Sequence, residues 1–381
     1  MAKIMQIFLI SCCLLLSCTQ EEEKKIIVAA ENTKEYIKIL GDKRIALVVN
    51  QTSLIQQTHI VDSLLSLNIK IMKIFSPEHG FRGKEDAGAK IEDEIDLKTG
   101  IPIVSLYGKN KKPSKEQLSD VDIILFDIQD VGARFYTYIS TLHYVMEAAG
   151  ENNIKLIVLD RPNPNLHYID GPVRKKEFTS FVGLHPIPIV HGMTIGEYAK
   201  MINGENWIAD TSDLTIIKIQ NYNRNLKYNL PVKPSPNLPN SRAINLYPSL
   251  CLFEGTTISV GRGTEYPFQQ FGAPYLKSNY NFIPKSGEGS KYPKHENIIC
   301  YGTDLRFQDD YLKSINLKWL IESYQSCPEK DNFFNDFFDK LSGTDQLRKQ
   351  ITSGKTEQEI KESWEKDLKT FKEIRKKYLL Y

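Results

Sequence analysis

The sequence has almost no charge imbalance: 49 lysines and arginines stand against 47 aspartates and glutamates in 381 residues. The basic field that non-specific phosphate binding needs is therefore missing, and nucleic acid is not an expected partner. Cysteine is sparse. Of six cysteines, Cys12, Cys13 and Cys18 fall in the first apolar stretch, leaving Cys251, Cys300 and Cys327. An odd, scattered set makes no disulfide framework; one bridge or free buried thiols remain open. No Cys-x-x-Cys pair suggests zinc. The N-terminal apolar stretch is too short to cross a membrane. There is no internal repeat and no low-complexity tract. A Walker Gly-Lys-Ser/Thr ending is absent, and no Gly-x-Gly-x-x-Gly follows the first strand, which argues against a nucleotide. No Gly-x-Ser-x-Gly elbow marks a serine hydrolase.

What is present begins at the N-terminus. "MAKIMQIFLISCCLLLSC" reads as a secretory signal: a lysine, an apolar core, then small residues and a cysteine. Leu15-Leu16-Ser17-Cys18 resembles the bacterial lipoprotein box. That implies a signal over residues 1–17, acylation of Cys18 and a solvated tether over 18–35. The expected address is the cell envelope, with the membrane reached only through the lipid. The acidic "EEEKK" resembles surface-export signals of some lipoproteins. An ordinary signal that happens to end in cysteine is the alternative.

From about residue 40 to 220, strand-like and helix-like patterns alternate. "RIALVVN", "IKIMKIF", "IPIVSLYG", "VDIILFDIQD" and "IKLIVLD" are apolar runs of strand length. "HIVDSLLSLN" has helical spacing at Ile60, Leu64 and Leu67. Phe135, Ile139, Leu142, Met146 and Ala149 make one face of a helix reaching about Asn152. Near-continuous apolar strands separated by helices predict a doubly wound, Rossmann-like α/β domain with a parallel sheet, over residues 36–238. The texture then changes. "LPVKPSPNLPNSRAINLYPSL" is proline-rich and aperiodic, and "SNYNFIPKSGEGSKYPKHEN" is polar and loop-like. Helical patterns return in "NLKWLIESYQS", in "FFNDFFDKL" and after Thr356-x-x-Glu359, a capping-box pattern. A smaller α+β domain is expected over 239–381.

In doubly wound sheets, ligands bind beyond the carboxyl ends of the strands. Here four strand ends deliver polar residues to one rim. Asn50 follows the first strand. "SPEHGFRG", with Glu78, His79 and Arg82, follows the second. Asp127, Gln129, Asp130 and Arg134 follow "IILF", and Asp160 and Arg161 follow "LIVL". Turn chemistry explains any one of these alone; four together, rich in long side chains, favour a site. Glu78, beside Pro77 at the end of an apolar strand, can be partly desolvated, which favours its proton-carrying form and suits a general acid. His185 and His191 in "LHPIPIVHG" lack metal-ligand spacing, and neither metal nor cofactor is expected.

A second dense region, "FEGTTISVGRGTEYPFQQFGAP", carries Glu254, Arg262 and Glu265. Carboxylates, arginines and aromatics are what glycoside cleavage needs: an acid for the leaving oxygen, and a group that stabilises or captures the oxocarbenium-like carbon. A glycan-binding surface lipoprotein without catalysis, and an esterase or amidase acting on cell-wall material, are the rival readings.

The series "VVNQTS", "FSPEHGFRG", "FDIQDVGARFYTYISTL", "LDRPNP", "HPIPIVHGMTIGEYA", "PSPNLP" and "FEGTTISVGRGTEYPFQQFGAP" closely resembles the exo-β-N-acetylmuramidases, in order, from about residue 40 to the C-terminus. The resemblance implies removal of N-acetylmuramic acid from the non-reducing end of peptidoglycan-derived saccharides. It also implies a Rossmann-like domain without a nucleotide and a cleft against an auxiliary C-terminal domain. The glutamate of the family's Ser-Pro-Glu-His-Gly motif falls on Glu78, and that of its Glu-Gly-Thr motif on Glu254. Glu265 stands where members often have aspartate. The partner of Glu78 is open among Glu254, Asp127, Asp130 and the sugar's own acetamido group. The lactyl carboxylate of N-acetylmuramic acid calls for a guanidinium fork, with Arg82, Arg134, Arg161 and Arg262 as candidates.

Overall fold

The apolar runs become buried strands because each must hide both of its faces. The computed structural model describes residues 25–78, 80–81, 94–308 and 310–381. The expected sites at Cys18, His79 and Arg82 lie outside the described residues. In chain order the strands are β1 (Ile45–Val49), β2 (Leu54–Ile55), β3 (Thr58–His59), β4 (Ile71–Ser76), β5 (Glu94–Ile95), β6 (Pro102–Ser105), β7 (Ile123–Asp127), β8 (Lys155–Leu159), β9 (Leu214–Ile217), β10 (Gln270–Ala273), β11 (Tyr280–Phe282) and β12 (Cys300–Asp304). Seven of them form one sheet in the order β5-β6-β4-β1-β7-β8-β9. It is parallel except for β5, which runs antiparallel to β6.

The period of two sorts each strand between two cores. Ala46, Val48, Ile124, Phe126, Leu156 and Val158 face the helices Tyr138–Glu151 and Ile195–Gly204. Ile45, Leu47, Val49, Ile123, Leu125, Ile157 and Leu159 face Thr33–Leu40 and Ile60–Ser66. All five residues of β1 are fully buried, and each large apolar one contributes about 1.5–3 kcal/mol by leaving water. The chain leaves β1 toward β4 and β6, then returns across the sheet to β7 and continues to β8 and β9. The switch point therefore lies between the carboxyl ends of β1 and β7.

The C-terminal half adds the small antiparallel sheet β10-β12-β11 and a set of helices closing with Glu357–Lys376. That last helix has the expected capping box, and Trp364, Leu368, Phe371 and Tyr378 are buried. The core on the Tyr138–Glu151 side runs on into this half through Leu246, Phe253, Phe338 and Trp364. The two halves thus share one apolar interior. Cys251, Cys300 and Cys327 are free and buried.

Three expectations need correction. The sequence suggests a tether as far as residue 35, but Ile27 bridges to Gln220, and Val28, Ala29 and Ala30 are buried in the second core. The apolar "IIVAA" joins the fold because the sheet leaves that face to be covered. Leu67 is half exposed, past the end of its helix, which buries Ile60, Val61 and Leu64 instead. The aperiodic proline-rich segment contains a helix, Ser241–Leu250, with Pro248 inside it. Asn240 caps its start by accepting from the Ala243 N–H. Pro248 cannot donate to the Ile244 carbonyl; the Asn165 side-chain amide donates there instead, at 2.9 Å.

The C-terminal residue docks at the sheet's rim. The Tyr381 hydroxyl donates to Asp160 Oδ2 at 2.8 Å and accepts the Ile219 N–H at 2.8 Å. Glu197 accepts the Leu380 N–H and pairs with Arg224.

Candidate active site

The polar rim divides into groups that hold the fold and groups that meet at a pocket. At the switch point the side chains are spent on each other. Asp127 forms a bidentate pair with Arg161, at 2.5 Å to Nε and 2.8 Å to Nη2, and both are buried. Asn50 Oδ1 accepts from the Thr52 N–H and hydroxyl. The Ser53 hydroxyl bonds the Asp127 carbonyl. Gln129 donates to the carbonyls of Asp130 and Pro162, both at 2.7 Å.

Several expected substrate-binding residues are therefore structural. Arg134 is fully buried, and its guanidinium donates to the carbonyls of Pro172, Ile187 and Leu341 at 2.7–2.9 Å. Asp160 is fully buried and accepts from Gly196, Thr194, Arg161 and Tyr381. Burial pushes its carboxyl up to about 7, while the bonds from Gly196 and Thr194 oppose this. His185 stacks on Trp207 and bonds Tyr198 and His143. Burial, with the nearby charges of His143 and Arg174, keeps its imidazole well below the usual range, so it stays neutral. His191 lies 3.5 Å from Asp130 in the interior, where Asp130 also accepts the Gly132 N–H. Glu265 is exposed on its loop.

Glu78 and Glu254 come together, although their positions lie far apart in the chain. They line one pocket of about 180 Å³ with Thr137, Tyr138, Tyr247 and Arg262. β4 delivers Glu78. Its Oε2 accepts from the Thr137 hydroxyl at 3.0 Å, and its carbonyl accepts from the Tyr138 hydroxyl at 3.3 Å. Thr137 and Tyr138 open the helix Tyr138–Glu151. Glu254 lies on the short 3-10 turn Cys251–Gly255 that continues the proline-containing helix.

Arg262 reaches Glu254 through two parallel bonds, Nε to Oε1 at 2.6 Å and Nη2 to Oε2 at 2.8 Å. Its guanidinium also lies 4.9 Å from the Phe268 ring centroid. The flanking glycines make this return possible. Gly261 and Gly263 have φ of +76° and +74°, and a Cβ on Gly263 would stand 2.4 Å from the Lys285 carbonyl oxygen. Lys294, from the polar loop, donates to the carbonyls of Phe253, Thr256 and Ile258 and so ties down the segment that carries Glu254. Burial opposes charge on Glu254, but the Arg262 guanidinium, with Lys294, holds its carboxyl below the usual range. Burial pulls Lys294 down to about 8 against the attraction of Glu254.

A larger concavity of about 1940 Å³ lies beyond β8 and β9, lined by Asn221, Asn223, Asn225 and Arg161. It contains one carboxylate, Glu31, and its arginine is already committed to Asp127. Of these two concavities, the smaller one brings two carboxylates together, Glu78 and Glu254. Thr137 and Tyr138 lie inside the motif "ARFYTYISTL", where nothing local distinguishes them as pocket residues. Lys294 had no local signal, since its partners are backbone carbonyls some forty residues earlier.

The profiles of exo-β-N-acetylmuramidase NamZ match this chain in two parts, the N-terminal one over residues 45–242 and the C-terminal one over 245–381. The chain belongs to the exo-β-N-acetylmuramidase family. It is 43% identical over 372 residues to the peptidoglycan β-N-acetylmuramidase NamZ of Bacillus subtilis (strain 168), covering 91% of this chain and 89% of that protein. Two crystal structures of DUF1343 family proteins from Bacteroides fragilis NCTC 9343 are similar throughout. One has a TM-score of 0.88 at 48% identity, covering 94% of this chain and 99% of that one. The other has a TM-score of 0.82 at 29% identity, covering 93% and 99%. In this muramidase-family chain the two family profiles meet between residues 242 and 245, within the proline-containing helix that leads to Glu254.

The ion pair makes a stability prediction. Arg262→Met leaves Glu254 in the pocket without its fork. It should lower the unfolding free energy by about 1–3 kcal/mol at pH 7, discounted for partial exposure. Glu254's folded value is depressed, so its contribution is present above the ordinary glutamate value of 4.5 and lost as pH falls through the folded value. The gap between wild type and variant in urea titrations should therefore narrow in acid. A gap that is constant with pH would contradict the pairing.

Proposed function

We propose that this chain is an exo-acting glycoside hydrolase that releases N-acetylmuramic acid from the non-reducing end of peptidoglycan fragments, with Glu78 as general acid. The observation that carries this reading is the convergence of Glu78, from the parallel sheet, with Glu254 and Arg262, from the C-terminal half, on one small pocket. At about 180 Å³ the pocket is below the roughly 300–1,000 Å³ of drug-sized sites. That suits one terminal sugar ring better than a chain running through.

The two carboxylates take different roles because their partners differ. Glu78 is held by a hydroxyl that can donate or accept, so the contact with Thr137 survives either protonation state. Such a group can give its proton to the glycosidic oxygen and recover it from water. Both oxygens of Glu254 are engaged by Arg262, which makes it a poor nucleophile. It acts as a fixed charge that orients Arg262 and supports the developing positive carbon. The attacking group is then the sugar's own acetamido oxygen or a water.

Arg262 also offers the recognition element. Nε and Nη2 are used on Glu254, and the outer edge at Nη1 remains to meet the lactyl carboxylate. Among the described residues it is the only one of the arginines considered for this role that lines the pocket.

Glu78→Gln keeps the shape and removes the proton. Turnover of a chromogenic N-acetylmuramide should fall by about two to four orders of magnitude with the unfolding midpoint unchanged; a fully active variant would remove Glu78 from the mechanism. Arg262→Lys keeps a charge but loses the fork. It should lower kcat/KM on the muramide more than on the matching N-acetylglucosaminide, and an equal loss on both would reject the lactyl assignment.

A further inference from the structure

The loop that turns Arg262 inward turns Tyr266 outward. Only three residues separate them, so at 3.8 Å for each of four Cα steps Tyr266 lies within about 15 Å of Arg262. Beyond it is a layered surface that the pocket does not use. Arg306 lies over the Tyr266 ring at 4.2 Å, with Phe307 at 5.1 Å and Tyr280 at 6.0 Å. Phe307 is 79% exposed. An aromatic ring that open to water contributes little to folding, yet it borders an ordered guanidinium.

That guanidinium is held firmly. Arg306 donates to Asp304 through Nε at 2.9 Å, Nη2 at 2.7 Å and its backbone N–H at 3.0 Å. Asp304 ends β12 opposite Gln270 of β10. Gln270 in turn bonds Thr264 of the Arg262 loop at 2.6 Å and the Tyr280 hydroxyl. Pocket loop and outer surface are thus one hydrogen-bonded unit. The Asp304–Arg306 pair cancels its own charge. What remains is a cluster of aromatic rings around a paired guanidinium, with Phe307 open to water and hydrogen-bonding groups at its edge. A neutral pyranose presents the complementary pattern: C–H groups on its face and hydroxyls around its rim.

We propose that Tyr266, Arg306 and Phe307 form an outer saccharide subsite for a neutral sugar ring of the glycan chain, on the leaving-group side of the pocket. This rests on the glycosidase reading above, because that reading defines which side leaves.

Phe307→Ala and Tyr266→Ala test it in the full chain. On tetrasaccharide glycan chains, KM should rise about three- to tenfold with kcat kept, the size expected of an aromatic contact. On a single-sugar chromogenic muramide, both variants should match wild type within about twofold on the same scale. Unchanged KM for the tetrasaccharide in both variants, or equal losses on both substrates, would overturn the subsite. If wild type releases no sugar at all, the glycosidase reading fails separately. Calorimetric binding of the tetrasaccharide then decides: threefold or weaker binding by the variants keeps the subsite, and equal affinity removes it.

Discussion

The bidentate pair between Glu254 and Arg262 is the constraint on which the rest of the site depends. It requires a loop that doubles back, and therefore the two left-handed glycines around Arg262. It requires the segment after Glu254 to be fixed, and Lys294 does this through three carbonyls. It also bears on the chemistry. A carboxylate with both oxygens on a guanidinium stays charged and stays put; in the reading proposed above, proton transfer then falls to the other carboxyl in the pocket. Glu78 has a different setting, with the Thr137 hydroxyl at the start of a helix among its partners. One fold has given two glutamates unlike partners and so can give them unlike tasks.

The pocket lies where the two halves share one buried apolar layer. The apolar layer under the Tyr138–Glu151 helix continues through Leu246 and Phe253 to Phe338 and Trp364. Glu254 follows a helix that tolerates Pro248 only because Asn165, from the end of the β8 loop, satisfies the Ile244 carbonyl. The C-terminal tail closes the other side by bonding Asp160 and Glu197. Each device ties the C-terminal half to the rim of the parallel sheet, which is where Glu78 is presented.

The sheet was legible because burial on both faces leaves continuous apolar runs, and "IALVV" and "IILF" show it plainly. The rim was legible as a concentration of polar side chains at strand ends. Which of them were free for chemistry was not. Asp127 is consumed by Arg161, 34 residues away, and Arg134 by carbonyls as distant as Leu341, 207 residues away. No local pattern encodes such pairings. Glu78 and Glu254 stood out in sequence, but only folding shows that they share a wall. The helix Ser241–Leu250 was hidden by its own proline, since the partner that makes Pro248 acceptable is a tertiary one. Lys294, in a polar loop, carried no signal for the same reason: its carbonyl partners lie 36 to 41 residues earlier.

The central claim is that the pocket cleaves the terminal glycosidic bond and nothing else. Mass analysis of a defined peptidoglycan oligosaccharide after incubation with the purified chain tests it most directly. The account predicts free N-acetylmuramic acid as the small product, with the remaining glycan shortened by that one sugar and its peptide and acyl groups intact. Loss of a peptide or an acyl group from an uncut glycan, or cleavage inside the chain, would contradict it.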